Sequence, residues 1–194
     1  MKKTLVSAAF AASLLMPSMA SAQAIPAAVV AVVDLERVSR DCNACKTAST
    51  ALQGQVSALK SREQALASPL QTEGKSIQTA IDALKGKEPD AALQARIKAF
   101  QTKQQQGAEE LQRQQQQLQR NQQYIQKQIV DKLGPIYQQV MQRRGANVMM
   151  ETGSTLATTT TVDVTNDVLA ALNTALPSIQ TTAPAQQQQT PQSR

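Results

Sequence analysis

Histidine and tryptophan are absent from this 194-residue sequence, and the aromatic residues are only Phe10, Phe100, Tyr124 and Tyr137. Without His the chain lacks the commonest general base and the commonest metal ligand near neutral pH. That excludes imidazole-dependent triads, dyads and zinc sites, and no catalytic centre, metal or cofactor is expected. Without bulky rings the 41% hydrophobic share is mostly Ala, Leu and Val, so a large, well-filled core is not expected either. Long apolar runs are missing too: none reaches the roughly 20 residues that cross a bilayer.

What is present begins with an export signal. Lys2 and Lys3 precede an apolar run from Leu5 to Met16, then Pro17 and the small residues Ala20-Ser21-Ala22. This is the plan of a secretory signal peptide over residues 1–22, with a cut after Ala22 or alternatively Ala24, and it implies a soluble, exported mature chain. Charge is unevenly spread along that chain. From Lys46 to Arg144 there are 15 basic and 8 acidic residues, whereas the rest of the mature sequence has 3 basic and 6 acidic. A cationic middle lies between slightly acidic ends.

The middle carries helical periodicity. Leu52, Val56, Leu59, Glu63, Leu66, Leu70, Glu73, Ile77, Ala80 and Leu84 alternate at spacings of four and three, and eight of these ten suit a coiled-coil seam. The run stops at the turn-forming cluster 86–90 (GKEPD), and Leu93, Ile97, Phe100, Gly107, Leu111, Leu118 and Ile125 resume it. Two helices joined by so tight a turn run antiparallel. The spacing predicts an arm over 44–144, its tip at about 86–90, with Gly134-Pro135 interrupting the return. Each straight run would extend roughly 60 to 65 Å. Pro69 lies inside the outgoing helix and mirrors Gly107 across the tip, which reads either as a shared kink or hinge or as two unrelated irregularities.

Short elements flank the arm. Residues 27–35 (AAVVAVVDL) read as a buried strand, and 147–151 (NVMME) and 155–161 (TLATTTT) as two more. A helix over 163–176 is expected, capped by Asp163 or Thr165 and ended by Pro177. Residues 177–194, rich in Pro, Gln and Thr, lack periodicity and read as a disordered tail. The fold class is therefore mainly α: a long antiparallel helical hairpin projecting from a small β-containing body over 23–43 and 145–176.

Few residues carry chemistry. Cys42 and Cys45 form a C-x-x-C at a helix start, but no βαβ pattern supports a thioredoxin-like role. A small structural disulfide or two inert thiols are the readings that remain, one chain offering too few ligands for a metal. Gly74-Lys75-Ser76 mimics the end of a phosphate-binding loop, yet Pro69 stands where the motif needs Gly, so nucleotide binding is not expected. Half of residues 101–128, 14 of 28, are Gln, which extends hydration without adding charge. A cationic arm attracts anionic partners over about 8 Å. Nucleic acid is not expected among them, because no aromatic interleaving or recognition motif accompanies the charge.

The order of elements, with AVVDLERV (31–38) at one end and NVMMETGSTLATTTTVDVTNDVLAAL (147–172) at the other, resembles the Skp/OmpH family of periplasmic chaperones. The resemblance runs through the mature chain to Leu176. It implies a homotrimer whose strands assemble into a β-body, with Val29, Val30, Val32, Leu35, Val148 and Met150 as the trimerisation residues. It also implies ATP-independent holding of unfolded outer-membrane β-barrel proteins between basic arms. Lys75, Lys85, Lys87, Arg96 and Lys98 are then the residues to steer clients, lipopolysaccharide or an anionic membrane surface. The competing reading is an envelope coiled-coil adaptor without chaperone activity.

Overall fold

The computed structural model describes residues 25–184. The expected signal peptide and the last ten residues of the expected tail lie outside them. The order is β1 (Val30–Val33), α1 (Leu35–Asp41), α2 (Asn43–Ala83), α3 (Ala91–Arg144), β2 (Val148–Glu151), a single 3-10 turn (Thr152–Ser154) and α4 (Thr165–Ala175).

Helices α2 and α3 are the antiparallel hairpin. Of the expected α2 seam, Ile77 is buried and Leu52, Leu59, Leu66, Leu70, Glu73, Ala80 and Leu84 are partly buried, while Val56 and Glu63 face solvent. The turn between the arms uses left-handed backbone at Lys85 (φ 51°) and Gly86 (φ 89°). Asp90 then caps α3 by accepting from the Leu93 N–H at 2.8 Å. Two cross-links tie the arms farther in. Arg62 donates to both carboxylate oxygens of Glu110 at 2.6 and 3.0 Å, and Lys103 Nζ bonds Glu73 at 2.8 Å.

The interruption expected at Gly134-Pro135 does not occur, and α3 runs unbroken for 54 residues. Pro135 is exposed, so the Asp131 carbonyl it deprives of a partner lies on the solvent side. Ile129, Leu133, Ile136 and Val140 are buried on the opposite face. At about 1.5–3 kcal/mol for each fully buried aliphatic side chain, that face outweighs a proline penalty of about 3 kcal/mol. Pro69 is likewise exposed within a continuous α2.

The base of α3 is thus the central beam of the head. Around it pack Val38 of α1, Ala44 and Cys45 at the start of α2, Val168 and Leu172 of α4, and Ala31 and Val33 of β1. The head therefore differs from the β-rich body expected. The first strand is four residues long, and Asp34 ends it by capping α1 through a 2.8 Å bond from the Arg37 N–H. Leu35 accordingly starts a helix instead of ending a strand. Residues 155–161 form no strand; the chain rejoins the sheet only at Val162–Val164, where Val32 exchanges two 2.8 Å backbone bonds with Val162 and Val164. β1 and β2 pair in parallel, Val30 against Val148 and Val32 against Met150. A parallel pair needs a long crossover, and here the whole hairpin is that crossover.

Candidate functional site

Three surfaces and two internal fastenings bear on function. The first surface is formed by the N-terminal end of β1 together with β2. Val29, Val30, Val148 and Met150 are exposed by 50, 37, 37 and 38%, so four of the six expected interface residues form an apolar strip on the head. The other two do not join it: Val32 is 3% exposed and Leu35 packs against the core. Both are used inside the chain itself, because β1 has a neighbour on each side and Leu35 opens α1.

The second surface is the outer hairpin. Lys75 lies on α2, Lys85 and Lys87 on the turn, and Arg96 and Lys98 on α3, all exposed. Among the described residues none of the five forms an ion pair; Arg96 bonds only the Ser76 hydroxyl, at 2.9 Å. Closer to the head, by contrast, the Arg62 and Glu110 charges are matched. The bidentate bond holds the Glu110 carboxyl below the ordinary range and raises the Arg62 guanidinium.

The third surface is one that reading the sequence missed. Ser178 to Ala183, expected to be disordered, runs back along the hairpin. Ile179 packs against the head core. Gln180 then exchanges two bonds with the Gln128 side-chain amide, its N–H donating to Oε1 at 3.0 Å and its carbonyl accepting from Nε2 at 2.8 Å. Gln55 of α2 donates to the Thr181 carbonyl at 3.0 Å. Asn121 accepts the Ala183 N–H at 2.8 Å, and Gln117 donates to the Ala183 carbonyl at 3.3 Å. Asn121 is only 5% exposed, and its remaining donor meets Gln55 Oε1 at 2.8 Å. This inward turn of Gln55 explains why the neighbouring Val56 leaves the seam. The signal in the sequence was the glutamine richness of the return arm.

Of the internal fastenings, one is the junction of α1 and α2. Cys42 and Cys45 are joined by a disulfide and buried. Cys42 also closes α1 and opens α2, its Sγ accepting from the Cys45 N–H at 3.2 Å. The other is the start of α4. Thr165 is fully buried, its hydroxyl accepting from the Asp34 N–H at 2.9 Å and its own N–H donating to Asp163 at 2.8 Å. The Thr165 hydroxyl and N–H, with Arg37 nearby, hold the Asp163 carboxyl below the usual range. Tyr137 shifts the other way, its phenol raised by burial and by Glu151. Pro69 and Gly107 do not meet face to face: the α2 atom nearest to where a Gly107 side chain would begin is Leu66 Cδ1, 4.0 Å away. Among the described residues no helix is long and apolar enough to cross a membrane.

The sequence model of the outer membrane protein (OmpH-like) family matches residues 29–172, from the first strand to the last buried leucine of α4. The chain belongs to the OmpH-like family. It is thereby a protein of the Skp/OmpH chaperone family and not an enzyme. Its fold is similar to the crystal structure of an OmpH-like protein from Caulobacter crescentus CB15, described as a candidate outer membrane chaperone. The TM-score is 0.68 at 19% identity, covering 85% of this chain and 96% of that one. Among curated proteins none matches the sequence. In this OmpH-like chain the 163–165 stretch gains a physical meaning, though neither Asp163 nor Thr165 is the cap expected: Val164 is the buried N-cap with no side-chain cap bond, Asp163 accepts the Thr165 N–H just before the helix, and buried Thr165 fastens α4 to the end of β1.

Proposed function

We propose that the chain acts in the periplasm as an ATP-independent holdase, a homotrimer that keeps unfolded outer-membrane β-barrel proteins from aggregating between its arms. The observation that carries the reading is the joint presence of an apolar strip on the head and unpaired cations on projecting arms. Val29, Val30, Val148 and Met150 are apolar and exposed at the hairpin's base, where a second and third copy of the chain would cover them. Three arms standing on one head would enclose a space lined by Lys75, Lys85, Lys87, Arg96 and Lys98. These cations would raise the local concentration of anionic clients, and of lipopolysaccharide or an anionic membrane surface. Holding of this kind depends on binding alone, and the reading assigns no nucleotide to it. The export signal over residues 1–22 supports the compartment.

Pro69 is exposed and Leu66 is the α2 residue nearest Gly107, and a flexing point at this level would let the outer arm adapt to clients of different size. Uniformly slow hydrogen exchange across 65–72 and 103–110 would exclude it. The deciding experiment for the main reading dilutes a urea-unfolded outer-membrane barrel protein with and without this chain, lacking ATP, and follows light scattering. Suppression at a slight molar excess of trimer is expected. Failure to suppress would favour a coiled-coil adaptor of the envelope, and a monomer by light scattering at micromolar concentration would refute the trimer.

A further inference from the structure

The glutamines of the return arm supply neither the apolar seam nor the cationic surface, yet the structure gives several of them a function. Gln128, Asn121 and Gln117 on α3, with Gln55 on α2, bond the backbone N–H and carbonyl groups of Gln180, Thr181 and Ala183. A side-chain amide carries both a donor and an acceptor, so it can pair with a peptide backbone as a neighbouring strand would. The spacing matches as well. From Gln128 to Asn121 is seven helical residues, about 10.5 Å at 1.5 Å each. From Gln180 to Ala183 is three extended residues, about 10 Å at 3.3 Å each. One heptad of the arm therefore advances by the same distance as three residues of an extended chain. One heptad farther toward the tip lies Gln114, which with Ala58, Leu59, Arg62 and Leu118 lines the open continuation of the groove beyond Thr182.

We infer that this amide row is a binding site for extended polypeptide backbone, occupied in cis by the chain's own residues 179–183 and competed for by extended segments of an unfolded client. Recognition along residues 180–183 is largely independent of sequence, Ile179 being anchored separately on the head core. The contacts to Thr181 and Ala183 are to backbone atoms, and the one side-chain bond made by the segment to the arm is Gln180 with the Tyr124 hydroxyl, at 3.1 Å. The cis segment keeps the row's amides paired when no client is present and sets a threshold that a client must exceed. The client half of the inference rests on the holdase reading; the peptide site itself does not.

The test uses the full chain and a fluorescein-labelled peptide of residues 177–184, followed by anisotropy. Gln180→Pro with Ala183→Pro removes the two N–H groups that the row accepts and vacates the site without altering it. Because apparent affinity scales with the fraction of competent, vacant sites, this variant should bind the peptide at least about tenfold more tightly than the natural chain. Adding Gln128→Ala or, separately, Asn121→Ala to it should abolish the gain, with far-UV circular dichroism confirming that each still folds. A peptide that keeps Ile179 but has residues 180–183 scrambled should bind within about threefold of the original, whereas one N-methylated at the positions of Gln180 and Ala183 should not bind. No gain in the proline variant, or equal binding of the N-methylated peptide, overturns the site. An unfolded barrel protein should displace the labelled peptide. If the chain suppresses aggregation but no displacement occurs, the client half falls and the holdase reading stands. If the peptide behaves as expected but aggregation is not suppressed, the holdase reading falls instead.

Discussion

Single residues in this chain divide into those whose space is already taken and those whose space is open. Gly54 sits in the interior of α2, and a Cβ built there meets nothing within 4 Å, whereas at Gly74 it would lie 3.2 Å from the Phe100 ring. Gly54→Ala should therefore stabilise by about 0.5 to 1 kcal/mol through helix propensity, while Gly74→Ala should gain clearly less because the ring must move. Urea unfolding of the two variants side by side checks this, and equal gains would show that Phe100 yields freely. Asp163 supplies a pH test. Its folded pKa is depressed by the Thr165 bonds, so its contribution is present above the ordinary aspartate value and is lost as pH falls through the lower folded value. Asp163→Asn should flatten the stability loss on acidification below about pH 4, measured as melting temperature against pH. An unchanged slope would remove Asp163 from the acid response.

Among the elements, the short links decide more than the long helices. The Cys42–Cys45 bond closes a very small loop at the meeting of α1 and α2. Chain entropy assigns such a loop about 2 kcal/mol, so replacing both residues by Ala should lower stability by roughly that amount while aggregation suppression persists. Loss of suppression in a folded double variant would reopen a redox role. The hairpin, its tip and its seam were legible in the sequence because a 3.5-residue period and a turn-forming cluster are local signals. The breaks were less so. Gly134-Pro135 was read as an interruption because local chemistry says so, but tertiary burial of Leu133, Ile136 and Val140 overrode it. The threonine run 155–161 looked like a strand from its β-branched composition, yet β1 accepts a third neighbour only at 162–164.

For the molecule as a whole, the exposed strip on the head is the feature that a single chain leaves unexplained. Val30 and Val148 face each other across the parallel pair and are each 37% exposed. Since neither is needed in the monomer's core, Val30→Asp with Val148→Asp should leave helicity intact but place like charges opposite each other at the proposed interface. Sedimentation should then show mainly monomer at concentrations where the natural chain is trimeric. A trimer that persists in the double variant would move the interface elsewhere. Part of the expected surface was legible as exposure: Val29, Val30, Val148 and Met150 and the cations of the tip lie open. Val32 and Leu35 do not lie open: the chain pairs Val32 with Val162 and Val164, more than 100 residues away, and the Asp34 cap makes Leu35 the start of a helix.

By itself the sequence determined the hairpin, the cationic arm, the lack of catalytic chemistry and the family's order of elements. Each of these follows from residue type and from spacings shorter than a few helical turns. Tertiary structure alone decided that the head is built mainly from helices around the base of α3. It decided equally that residues 178–183 are held by Gln55, Gln117, Asn121 and Gln128. A stretch of Pro, Gln and Thr has no period of its own, and its order comes from amides that only the folded hairpin brings into line.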